Sequence, residues 1–187
     1  MKLFIFLGLG LILLSCGGPE PRRPVKVRSG SFMKESVARN RALLAQEETR
    51  IRDLMALDSL HEYQSSASGF WYFHQEKNET TDYHPVPGDL VTLQYDILSL
   101  ENDTIYSREE LGVQHYLVDK EDRAHIFPGL RNSIKLLKEG ETATFLYPSS
   151  LAFGYPGDHR KIGPNVPIKA TITLLQVEKQ QDSIQNQ

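Results

Sequence analysis

The spacing of apolar residues changes several times along this chain, and each change predicts a different kind of element. Leu3 to Leu14 is an unbroken apolar run of 12 residues behind a single cation, Lys2. From Met33 to about Tyr63 there is neither Gly nor Pro. Val37, Leu44, Ile51, Leu54, Met55 and Leu57 recur there at steps of seven and of three or four, one stripe of an amphipathic helix. Arg39, Arg41, Glu47, Glu48, Arg50 and Arg52 cover the other faces. Asp58 takes the next heptad position, which predicts a short contact rather than a long coiled coil. Ser65-Ser66-Ala67-Ser68-Gly69 then reads as a hinge, and the helical arm, residues 33–64, is expected to be separable from the body of the protein.

Beyond the hinge the period falls to two. Phe70-Trp71-Tyr72-Phe73 is a β-favouring run, and Val91, Leu93, Tyr95 and Ile97 alternate with Thr92, Gln94, Asp96 and Leu98. Ala143–Tyr147 and Ile168–Val177 are two further β segments, and Pro85-Val86-Pro87-Gly88-Asp89 is a turn. One helix interrupts them: Leu130, Ile134 and Leu137 at i, i+4 and i+7, stopped by Gly140. The expected fold class is α+β, an antiparallel sheet of four to six strands with one short helix laid across it.

Composition and charge narrow the function. Hydrophobic residues are 40% and charged residues 24% of 187, a globular composition. A net charge of −3 argues against a protein that binds nucleic acid by neutralising phosphates. The run at the start is too short to span a bilayer as a stable anchor, and nothing later approaches it, which excludes a transmembrane transporter or channel. It reads instead as an h-region ending in Leu14-Ser15-Cys16, a small residue and then a cysteine, as in a bacterial lipobox. Residues 1–15 are then a signal peptide. Cys16, the sole cysteine, carries lipid and tethers the protein to the cell envelope, facing the periplasm. Residues 16–32, with three Pro, three Gly and four cations in 17–32, make a flexible basic tether; residues 180–187 are expected to be a disordered tail. A second copy is a possible partner for the arm, through residues 33–63.

Motifs for acid–base, nucleophilic or phosphate chemistry are lacking: there is no Gly-x-Ser-x-Gly, no phosphate-binding glycine loop and no His-Glu-x-x-His. The six His are scattered singly, and no metal or cofactor is expected.

Three segments carry a resemblance. The first is Val91-x-Leu93-x-Tyr95 followed by Ile105-Tyr106-Ser107-Arg108. The second is His125-Ile126-Phe127-Pro128-Gly129-Leu130, leading to Lys138-Glu139-Gly140-Glu141. The third is Pro148-Ser149-Ser150-Leu151-Ala152-Phe153-Gly154, then Ile162-Gly163-Pro164-Asn165-Val166-Pro167-Ile168. In order and spacing, across about residues 88–178, they resemble the FKBP-type peptidyl-prolyl cis-trans isomerases. The lipobox, the arm and the approach to Trp71 further resemble that family's gliding-motility-associated lipoproteins.

The resemblance implies a curved antiparallel half-barrel wrapped around one short helix, in a domain over residues 69–179, with an apolar pocket that acts on proline-containing protein segments. By position it implies Tyr95, Phe127 and Phe153 as the catalytic wall, and Ile105, Tyr106, Ile126, Leu130 and Ile162 as the substrate-binding lining. Three departures stand out: Tyr106 where the family has an acid, Phe153 where Tyr is common, and Ala170 where a pocket Phe is frequent. They keep a second function class open, a catalytically weak binding module, chaperone or assembly factor built on the same half-barrel.

Overall fold

The computed structural model describes residues 29–120 and 126–180, with side chains from residue 33. The signal peptide, Cys16, most of the tether, His125 and the tail beyond Gln180 lie outside the described residues. Contacts divide the chain into two units, Met1–Ser36 and Val37–Gln187; the described part of the first is the start of one helix.

That helix, α1, spans Ser29–Leu57. It starts earlier than the stripe predicts and stops six residues before Tyr63. Asp58 explains the stop. Its carboxylate accepts the Leu60 N–H at 3.1 Å and the Tyr63 hydroxyl at 2.9 Å and lies 2.8 Å from His61 Nδ1, so the chain turns off the helix axis. The partners His61 and Tyr63 hold that carboxyl down at about 2.

Seven antiparallel strands follow: β1 (Gln64–Ser65), β2 (Trp71–Glu76), β3 (Leu90–Leu98), β4 (Thr104–Tyr106), β5 (Gln114–Leu117), β6 (Thr142–Tyr147) and β7 (Ile168–Glu178). They form one open sheet in the order β1-β2-β6-β7-β3-β4, with β5 also on β3. Among the described residues three helical pieces interrupt them: α2 (Arg108–Leu111), α3 (Pro128–Ile134) and a 3₁₀ turn over Ser149–Leu151. The sequence predicts only α3, two residues later than it starts, and at most six strands. The extra pieces are too short to show a period. The α+β class and the curved sheet around a short helix hold. Register shifts between His74 and Glu76, Thr92 and Leu93, and Ile97 and Leu98 help an antiparallel sheet to bend.

Alternation puts Val91, Leu93, Tyr95 and Ile97 of β3, and Ile168, Ala170, Ile172 and Leu174 of β7, into one core with Leu130 and Ile134 of α3. Strand β6 is buried on both faces, because a second, smaller cluster of Ile51, Leu100 and Leu146 lies apart from that core. Here α1 departs from the expectation of a separable arm. Ile51 is wholly buried, and the buried Glu47 carboxylate accepts the Ser149 N–H at 2.8 Å and the Ser149 hydroxyl at 2.7 Å. From Val37 onward the helix shares one compact unit with the sheet. The Ser66–Gly69 segment is a tight turn: Gly69 N–H donates to the Ser66 carbonyl, and Ser66 N–H to the Phe70 carbonyl.

Removing the Ile51 side chain empties the centre of the small cluster. Ile51→Ala is expected to lower the unfolding free energy by about 2–5 kcal/mol in urea titrations. A chain starting at Ser68, which lacks Glu47, Ile51 and β1, is expected to be less stable than the full protein. Equal stability of the two would mean that the helix contributes nothing to the fold.

Candidate functional site

The site is assembled by α3 and three loops around the inward face of the sheet. Pro128 opens α3 at its first position, where its ring geometry suits a helix and its missing N–H is no loss, and Phe127 stands before it in extended conformation. Gly129 then lets the helix close on the sheet. A Cβ there would lie 2.6 Å from Tyr147 Cδ1 and 2.8 Å from the Leu151 carbonyl oxygen. One turn later Ser133 Oγ and Tyr147 Oη are 2.6 Å apart, a hydrogen bond inside the core. Burial holds the Tyr147 phenol neutral, with its pKa far above the usual value.

This close approach brings the expected residues together. Tyr95, Tyr106, Ile126, Phe127, Leu130 and Ile162 are buried members of one apolar cluster, and Ile105 and Phe153 pack on it partly exposed. The Phe127 ring lies 5.2 Å from that of Phe153, tilted by 43°, and 5.5 Å edge-on from Tyr147. Tyr95 points inward from β3 and hydrogen-bonds Tyr116 on β5; burial first, and then that neighbour, push its pKa up. Ala170 is fully buried between its cross-strand partners Ile97 and Phe145. Phe145 therefore supplies an aromatic ring on the neighbouring strand.

The surroundings of Tyr106 are where sequence reading fell short. The sequence leaves the mouth of the site without a carboxylate once position 106 is Tyr. In the structure the Tyr106 hydroxyl donates to Asp158, an acid 52 residues further on. Asp158 also accepts the backbone N–H groups of Arg160 at 2.9 Å and Ile162 at 2.8 Å; these bonds keep its pKa low despite burial, while burial and the acid raise that of Tyr106. Lys161 folds back over the Tyr106 ring at 4.6 Å, bonds the Ile105 carbonyl at 3.1 Å and pairs with Glu110 at 2.7 Å. Asp158 sits in a polar loop with no period; Pro156-Gly157 marks a turn there but names no partner for the acid. Arg108, quoted for the resemblance, is bound to Asp96 through its backbone N–H at 2.8 Å and its Nε at 2.9 Å, which fixes α2 against β3.

Chemically the arrangement is an aromatic and aliphatic wall with a hydrogen-bonded rim. Among the described residues no three His, Cys, Asp or Glu side chains converge as a metal would require. No described helix is long and apolar enough to cross a membrane.

Comparison with known proteins agrees with this geometry. No family model matches the sequence. A curated relative, the probable FKBP-type peptidyl-prolyl cis-trans isomerase FkpA of Neisseria meningitidis serogroup B, is 30% identical over 115 residues, 60% of this chain and 39% of the relative. The chain thus spans well under half that relative's length. FkpA from Escherichia coli superposes with a TM-score of 0.57 at 17% identity, over 95% of this chain and 82% of that one. A peptidyl-prolyl cis-trans isomerase from Pseudomonas syringae pv. tomato gives 0.56 at 19% identity, over 74% of this chain and 96% of that one. At such identities these two structures speak to the fold. The resemblance to FKBP-type isomerases is supported in sequence by the Neisseria relative and in fold by both structures.

The Gly129 contact gives a direct test of how α3 is held. Gly129→Ala forces Tyr147 and the Leu151 backbone apart and is expected to cost about 1–3 kcal/mol, with altered near-UV dichroism of the aromatic cluster. An unchanged melting temperature and spectrum would mean that the approach is looser than 2.6 Å.

Proposed function

We propose that this protein is a peptidyl-prolyl cis-trans isomerase acting on proline-containing segments of envelope proteins. The observation that carries the reading is the convergence of Tyr95, Ile126, Phe127, Leu130, Phe153 and Ile162 on one apolar cluster at the start of α3. The chemistry asks for little more. An X–Pro bond rotates in tens to hundreds of seconds unaided, against a barrier set by amide resonance. The planar amide is more polar than the twisted one, so a dry aromatic wall favours the twisted state. Binding that state better than either planar state is enough, and no side chain has to give up a proton. In this reading Phe127, Phe153 and Tyr95 surround the prolyl ring, Leu130 is the floor, and Ile105, Ile126 and Ile162 close the sides. The Phe127 N–H, just ahead of the first helical turn, takes the carbonyl before proline.

Lipid on Cys16 would hold the protein at the envelope membrane facing the periplasm, and residues 33–63 would join two copies. The half-exposed Val37 supports the second idea, and the likeness to gliding-motility lipoproteins points to motility components as clients. The alternative, a binding module with weak turnover, is favoured by Phe153, which has no hydroxyl to offer a substrate.

With short X–Pro peptides the full chain is expected to accelerate isomerisation, and Phe127→Ala to lower kcat/KM roughly tenfold or more, about 1.4 kcal/mol of transition-state binding. The same change costs about 3–5 kcal/mol of stability, so dichroism must show the variant folded. Phe153→Tyr is expected to keep or raise activity. Activity is expected to be level from about pH 5.5 to about 8.5, because Tyr95 and Tyr106 are shifted up and Asp158 down, away from that window. A bell-shaped profile would point to an essential acid or base outside this set. An inactive parent that still binds the peptide would replace the isomerase reading with the binding-module one. Separately, mass spectrometry of the mature protein is expected to find lipid on Cys16 and residues 1–15 removed; an unmodified Cys16 would end the anchoring proposal.

A further inference from the structure

The segment from Gly157 to Ile162 is folded around one carboxylate. Asp158 accepts the Ile162 N–H at 2.8 Å and the Arg160 N–H at 2.9 Å, and its own N–H donates to the Ile162 carbonyl at 3.0 Å. Gly157 permits the closure. It takes φ +68°, and a Cβ there would lie 2.3 Å from the Ile162 oxygen. The same carboxylate reaches across to β4 and receives the Tyr106 hydroxyl. Beside it Lys161 bonds the Ile105 carbonyl, so the loop attaches to the two β4 residues assigned to the site lining, Ile105 and Tyr106. Exposed ion pairs contribute little. This carboxylate differs, because it takes three hydrogen bonds, one from a buried phenol, and charge-assisted bonds are short and directional.

We propose that Asp158 is a positioning residue of the site: it orients the Tyr106 hydroxyl and holds Ile162 against the bound proline, supplying from the loop the acid that position 106 lacks. The inference rests on the isomerase reading of the same pocket. It also fixes what Tyr106 offers. A phenol has one proton and two lone pairs; with the proton committed to Asp158 and one lone pair to the Lys161 backbone N–H, the oxygen has one acceptor site left. Tyr106 therefore offers a substrate an acceptor for a peptide N–H and has no proton to give a carbonyl. Phe153, without a hydroxyl, cannot replace it.

The test uses the full chain with Asp158→Asn, Tyr106→Phe and the double variant, measuring kcat and KM on a short X–Pro peptide together with melting temperature. Each single change is expected to raise KM roughly tenfold with kcat little altered, and the double variant to be no worse than either single one, because both remove one unit. Unchanged KM in both single variants, or losses that multiply, would overturn the proposal. A fall in activity that merely tracks the unfolded fraction would do the same. Should Asp158→Asn fail to fold, Tyr106→Phe decides, since it leaves the loop's backbone bonds to Asp158 intact. A parent without turnover would sink the isomerase reading alone. The pair is then judged by NMR titration with the same peptide, where roughly tenfold weaker binding in both single variants supports the proposal. Equal affinities, or no binding by the parent, overturn it.

Discussion

The site depends on how closely α3 lies on the sheet. A side chain larger than hydrogen at Gly129 would collide with Tyr147 and the Leu151 backbone. With hydrogen there, Ser133 and Tyr147 meet at 2.6 Å, Leu130 is fully buried, and Phe127 is brought edge-on to Tyr147 and beside Phe153. The loop that carries Leu151 and Phe153 is held in turn by Glu47 through Ser149. The packing of one glycine and the grip of one buried carboxylate thus both bear on the segment from Ser149 to Phe153.

Two carboxylates do work that a reading of polarity alone would assign to solvent. Glu47 lies on the charged side of its helix in sequence, yet it is buried and satisfies two donors of Ser149. An unpaired charge costs a great deal in a low-dielectric interior, and those two bonds offset that cost. Asp158 uses the same device at the rim, with two backbone donors and one phenol. Both link residues far apart in the chain, and both tie a loop of the candidate site to another element.

How much was legible in the sequence depended on range. The period of two in β3 and the spacing of Leu130, Ile134 and Leu137 are local signals, and they located β3 and, two residues late, α3. The resemblance across residues 88–178 then named a lining that does converge in one cluster. Other features are invisible locally. Strand β1 has two residues and α2 has four, too few for any period to register. The stop of α1 at Leu57 turns on one Asp58 side chain competing for backbone donors. The contacts Glu47–Ser149 and Tyr106–Asp158 span 102 and 52 residues, and nothing in either neighbourhood announces its partner.

The central claim is that this apolar wall lowers the barrier to rotation about an X–Pro bond. NMR exchange spectroscopy on a short proline peptide, with the full chain at substoichiometric concentration, tests it most directly. The account predicts cross-peaks linking the cis and trans forms on a timescale where the free peptide shows none, together with shift changes confined to Ile126, Phe127, Phe153 and Ile162 and their neighbours. Exchange no faster than in the free peptide, or shift changes elsewhere on the protein, would contradict it.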